Sequence, residues 1–238
     1  MLNRASCEKT MLGILIEIIV SWLILWIFCR SSIFVLGIQP TRSRLVDFLV
    51  GFFIAALCCA VYFSSFTFLA NHRWAVNKEY TSSKFVSGVF WTLKSVLYEE
   101  LLFRGALLYI LIKKAGAKTA CIISAICFGV YHWFSMDAFG NPMQMVFIFV
   151  LTSVWGFMFA AAFVKTRSMY LPIALHFGWN LIQTVVFSQG PIGKQLLVGS
   201  GGEQLGVLLS IVVFLFQLLA VPFLIYLYIR KQIIYPKN

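Results

Sequence analysis

The chain has 238 residues, 61% of them hydrophobic and only 11% charged, with a formal net charge of +11. A soluble domain carries roughly 45–50% apolar and about 25% charged residues, so a water-soluble globule is excluded and lipid must be the solvent. The Lys and Arg residues sit mostly in short connections between apolar runs and form no basic tract, which argues against nucleic acid as a partner.

A stretch of ~20 mostly apolar residues crosses the hydrocarbon core of a bilayer. Such segments fall at residues 11–28, 46–69, 85–112, 119–134, 143–164, 169–187 and 205–229. They predict an all-α polytopic transmembrane helical bundle of about seven spans. The first segment lacks a small-x-small cleavage site and runs straight into Cys29-Arg30, so it reads as a span and not as a signal peptide. The third is long for one crossing and carries Lys94, Glu99, Glu100 and Arg104; it is expected to tilt or to emerge at its end. Connections are short. The connection 71–84 is rich in polar residues, and the Gly-rich 190–202 is expected to be mobile. With no repeat and no low-complexity tract, the chain reads as one integral membrane domain. Residues 1–84 supply N-terminal helices and loops, 85–188 a core, and 189–238 a loop and a last helix.

Cys7, Cys29, Cys58, Cys59, Cys121 and Cys127 show no C-x-x-C spacing and read as small hydrophobes, neither disulfides nor zinc ligands. Seven spans put Arg30, Arg42, Arg44, Lys113, Lys114, Lys118, Lys165, Arg167, Arg230, Lys231 and Lys237 on one side, against Arg4, Lys9, Arg73, Lys78, Lys84 and Lys194 on the other. The excess predicts a cytoplasmic C-terminus and an outside N-terminus.

A charge at the bilayer centre costs at least ~2.5–3.5 kcal/mol on insertion scales, so each one needs a reason. Glu17 and Asp47 read as structural polar contacts, and Lys94 as a snorkelling or neutralising cation. His72 reads as a surface histidine. The rest fall into three patterns: Glu99-Glu100-Leu-Leu-Phe-Arg104, Phe128-Gly-Val-Tyr-His132 and His176-Phe-Gly-Trp-Asn180. Residues four apart share a helix face, so Glu100 can pair with Arg104, and His176 and Asn180 point into one cavity. Two carboxylates, two imidazoles and an amide on three packed helices are what general-base hydrolysis or a metal site requires. All six side chains are expected to line that cavity. With its poorer geometry to Arg104, Glu99 is left as the unpaired base.

E-E-x-x-x-R, F-x-x-x-H and H-x-x-x-N, in that order on successive apolar segments, resemble the CPBP family of CAAX-processing and bacteriocin-processing proteins, also called Abi proteins. The family includes the CAAX prenyl endopeptidase and lysostaphin-resistance-like proteins, and the resemblance covers residues 86–187. It implies an intramembrane endopeptidase that hydrolyses a peptide bond near a substrate terminus or within a small precursor. By position, Glu99 would activate water, His132, His176 and Asn180 would bind metal or the oxyanion, and Glu100 with Arg104 would complete the first motif. No H-E-x-x-H, no Gly-x-Gly-Asp and no suitably spaced Gly-x-Ser occurs, which excludes zincin, presenilin-like and rhomboid-like sites.

Metal use stays open at this level. Catalytic zinc takes three protein ligands, and His132 and His176 offer two, with Glu99 or Glu100 as the third. Without a divalent cation, a poorly solvated Glu99 acts as base and a histidine with Asn180 holds the oxyanion. The alternatives are a transporter or channel, which would show interrupted helices in matching halves, and a non-catalytic immunity or scaffold protein. The expected partners are membrane lipid and a peptide or membrane-protein substrate. Short loops suit a bacterial cell membrane. The C-terminal Tyr235-Pro236-Lys237-Asn238 is not a prenylation box, so the chain is no self-substrate of that kind.

Overall fold

The computed structural model describes residues 4–231; the tail residues 235–238 discussed above lie outside them. In chain order it runs α1 (Arg4–Cys29), a 3₁₀ turn (Ile33–Leu36), α2 (Arg42–Leu69), β1 (Arg73–Val76), α3 (Ser82–Arg104) and α4 (Ala106–Ala115). Then follow α5 (Ala117–Ser135), α6 (Pro142–Thr166), α7 (Tyr170–Leu181), a π-turn (Ile182–Val186), β2 (Leu197–Ser200) and α8 (Val207–Lys231). Helices dominate because hydrocarbon offers the backbone no hydrogen-bond partner, and a helix satisfies its own amides. By length and composition, α1, α2, α5, α6 and α8 can each cross a membrane. Their outward faces carry exposed Leu, Ile, Val and Phe such as Leu57, Phe68 and Leu208. The chain is an integral, multi-pass membrane protein.

Local sequence sets the helix starts. Thr41 and Thr81 accept from the amides of Arg44 and Lys84 at the heads of α2 and α3. Asn141 does the same for Gln144 ahead of Pro142, so side-chain oxygens satisfy amides that have no intrahelical partner.

Two sequence expectations are corrected. The apolar run 85–112 is not one helix; it breaks at Gly105 into α3 and α4. Ser124 Oγ of α5 donates to the Phe103 carbonyl at 3.3 Å, taking up a backbone acceptor beside the break. Nor is 190–202 a loose loop throughout. Its residues 197–200 pair antiparallel with 73–76, Arg73 opposite Ser200 and Val76 opposite Leu197. Asn71 Nδ2 and His72 Nδ1 reach Glu203 and the Gly201 carbonyl across the same junction, so a small two-stranded cap covers this end of the bundle.

Association of helices within lipid rests on close packing more than on apolar burial. The tightest pairs are α2 with α7 and α5 with α6. A Cβ on Gly178 would stand 2.5 Å from the Phe52 carbonyl oxygen, so only glycine lets those two backbones approach, and one on Gly129 would overlap the Ser153 side chain. Between the pairs lies a core of Phe128, Trp155, Phe159, Leu175 and Trp179, and a second cluster of Leu25, Leu36, Leu108, Phe163 and Met169 closes the opposite end. Tyr228 of α8 donates to Asp47 of α2 at 2.7 Å, giving that buried carboxylate a structural tie. Among the described cysteines, Cys58, Cys59 and Cys121 are buried thiols, and none forms a disulfide.

Candidate active site

Three helices bring the polar residues together: α3 carries Glu99, Glu100 and Arg104, α5 carries His132, and α7 carries His176 and Asn180. Adjacent helical residues point ~100° apart, so Glu99 and Glu100 face different surroundings. Glu99 keeps 15% of its side chain exposed, whereas Glu100 and Arg104 keep none. A cavity of about 600 Å³ is lined by Glu99, His132, His176 and Asn180. Glu100 and Arg104 do not line it. They lie sealed behind its wall, which corrects the expectation of six lining residues: the single-residue offset that exposes Glu99 buries Glu100.

Behind the wall, Arg104 Nε lies 3.1 Å from Glu100 Oε2. The contact has the distance of an ion pair without hydrogen-bond alignment, and neither Arg104 Nη makes a hydrogen bond. Aromatic faces take up the cation instead. Arg104 Cζ is 4.2 Å from the Phe128 ring centre and 4.8 Å from that of Phe159, within cation–π range. Phe159 is also stacked at 5.0 Å on the His176 imidazole, so one ring separates the guanidinium from the histidine.

The two histidines are tied by the same ring atom. His132 Nδ1 is 2.8 Å from the Phe128 carbonyl oxygen. A carbonyl only accepts, so Nδ1 carries the proton. His176 Nδ1 is 2.8 Å from Glu100 Oε1, where a carboxylate paired with Arg104 again accepts. In the neutral rings both Nε2 atoms are therefore lone-pair donors. Each stands 3.8 Å from Glu99 Oε2, itself a buried oxygen with no hydrogen-bond partner.

That donor set fits a divalent cation in kind: two imidazole nitrogens and a carboxylate oxygen, each imidazole held from behind by an acceptor, as metal-bound histidines are. It is spread wider than a formed metal site. Among the described residues, no three His, Cys, Asp or Glu side chains close into such a group.

The comparison with known proteins bears on this region. Residues 81–182 match the family model described as Type II CAAX prenyl endopeptidase Rce1-like. This segment belongs to the Rce1-like family. No curated protein and no solved structure matches the chain. The Rce1-like segment contains every residue of the three motifs, and with them the reading of a CAAX-type intramembrane protease, a hydrolase, stands in general terms.

Other side chains complete the Rce1-like cavity. Trp91 and Ser95 enter from α3, Trp155 from α6 and Gln217 from α8, with Gly190 and Pro191 at the mouth. The π-turn presents Gln183, which accepts from the Trp179 indole at 2.8 Å and donates to the Gln189 carbonyl. Sequence reasoning missed Phe159 and Gln183. A lone Phe in an apolar helix carries no signal, and Gln183 gives one only as an uncommon amide three residues after Asn180. His72 stays outside the cavity, in the cap.

Proposed function

We propose that the protein hydrolyses a peptide bond in a membrane-associated protein or small precursor peptide, with water activated by Glu99. The observation that carries this reading is the convergence of Glu99 Oε2 with two Nδ1-tethered imidazoles at 3.8 Å inside a cavity. Glu99 takes a proton from the water, and the hydroxide adds to the scissile carbonyl carbon. The Nε2 lone pair of one of the two histidines orients that water by accepting from its second hydrogen. The Asn180 amide donates to the tetrahedral oxyanion. Glu99 then returns its proton to the leaving nitrogen as the C–N bond breaks, so the products are a carboxylic acid and an amine. A divalent cation such as zinc, where bound, would be held by the two Nε2 atoms with Glu99 Oε2 as third donor, and would supply Lewis-acid polarisation of the carbonyl.

The family description reads CAAX prenyl endopeptidase, and we propose a prenylated C-terminal peptide as the first substrate class to test here. The charge bias of the loops supports a cytoplasmic C-terminal end of α8, and the short loops suit a bacterial cell membrane. The test is cleavage of prenylated and unprenylated C-terminal peptides by the purified full chain in detergent, read by mass spectrometry. Cleavage by the wild type and none by Glu99→Gln is expected. Equal cleavage by both proteins would remove Glu99 from the chemistry.

A further inference from the structure

The connections at the end of the bundle opposite the two-stranded cap carry charge of one sign only; Asp47, six residues into α2, is buried and takes a hydrogen bond from Tyr228. Residues 30–46, 113–118 and 164–170 hold Arg30, Arg42, Arg44, Lys113, Lys114, Lys118, Lys165 and Arg167, and no Asp or Glu. At the capped end, residues 70–84, 135–142 and 188–206 hold four Lys or Arg against three Asp or Glu. Into the basic end opens a second cavity, of about 440 Å³, within the range of ligand pockets. Its walls are the apolar Val35, Ile112, Phe163 and Val164, and Lys113 and Arg167 stand at its rim. The rim is fixed in place. Arg167 occupies a left-handed turn at φ 50°. The two residues after it are clamped to the end of the 3₁₀ turn by Ser168 Oγ donating to the Gly37 carbonyl at 3.0 Å and by the Met169 amide donating to the Leu36 carbonyl at 3.1 Å. Lys113 Nζ lies 4.8 Å over the Tyr109 ring.

An apolar slot that starts inside the bundle and ends at helix termini between two held cations matches an amphiphile with a hydrocarbon body and an anionic head. We propose that this groove, bounded by α4, the start of α5, the end of α6 and the 3₁₀ turn, binds one anionic phospholipid. Its acyl chain lies along Ile112, Phe163 and Val164, and its phosphate sits between Lys113 and Arg167. Basic pockets between helices on the cytoplasmic side bind anionic headgroups in this way. Phe163 lies one helical turn from Phe159, the ring stacked on His176, so the lipid would lean on the same helix that walls the candidate active site.

The test titrates delipidated full chain in detergent with phosphatidylglycerol, phosphatidylcholine or inorganic phosphate, counting bound molecules by native mass spectrometry. One phosphatidylglycerol is expected to bind at least about 10-fold tighter than phosphatidylcholine, with no comparable binding of phosphate. Lys113→Gln with Arg167→Gln should weaken it by roughly 30-fold, from two headgroup contacts of ordinary strength. Val164→Trp, which keeps both cations and fills the slot, should also abolish the selective site; it decides the matter if the double variant fails to fold. Lys114→Gln with Lys118→Gln, on the same end but outside the groove, should leave binding near wild type. Equal loss in that control pair would reduce the effect to diffuse surface charge and overturn the site, as would equal binding of phosphatidylcholine or of phosphate alone.

Discussion

Glu99 and Glu100 are neighbours in the chain and stand in different media. Glu99 faces a cavity, with one carboxylate oxygen buried, unbonded and 3.8 Å from two imidazole nitrogens. Glu100 is sealed between Arg104 and His176 Nδ1. In the proposed mechanism the first layer gains and loses a proton, while the second orients the His176 ring from behind. The contrast teaches that a pair of identical side chains can divide between chemistry and scaffolding by helical phase alone.

The contrast is easiest to break at Glu99. Glu99→Gln should lower cleavage by ~10²–10⁴-fold, the ordinary worth of a positioned base, while thermal unfolding in detergent stays near wild type. Glu100→Gln should do the opposite in kind, removing ~3–5 kcal/mol of stability by stranding Arg104; folded yield and thermal midpoint are the readouts. A stable, inactive Glu100→Gln beside an unstable Glu99→Gln would reverse the two layers. Asn180→Ala sharpens the cavity side: it should cost ~10²–10³ in kcat with little change in KM or stability. Tyr228→Phe belongs to neither layer. It removes a hydrogen bond to Asp47 and should cost ~0.6–1.7 kcal/mol of stability with kcat unchanged, which calibrates what an ordinary intramembrane hydrogen bond contributes here.

The motif residues were legible because charge is so costly in lipid that each one stands out of the sequence, and i,i+4 spacing then pairs Glu100 with Arg104. Their separation into an exposed and a sealed layer follows from helical phase, yet which phase faces the cavity depends on how α3 rolls against α5 and α7, and no local residue encodes that. The break at Gly105 was invisible for a similar reason. The run turns apolar again after Arg104, and the partner for the Phe103 carbonyl comes from Ser124, twenty-one residues away. The pairing of 73–76 with 197–200 joins two short segments from distant connections, neither with a strand pattern long enough to read. Phe159 is the extreme case: its place between Arg104 and His176 is a property of the packed bundle alone.

The π-turn after α7 gives the site a tolerance of chain length that substitutions would not reveal. Its defining bond runs from the Phe187 amide to the Ile182 carbonyl, five residues back, at 3.0 Å. A π-turn accommodates one more residue than the α-helical turn it replaces, so the extra residue is absorbed inside the turn and the frame beyond it stays in phase with the frame that carries His176 and Asn180. Deleting one residue within 182–186 would let the ladder close as a plain α-helix and leave both motif residues where they are. Gln189, Gly190 and Pro191 at the cavity mouth would keep nearly the same orientation. A single deletion at this joint is therefore taken up locally, whereas one inside α7 between His176 and Asn180 would turn the two motif residues away from each other.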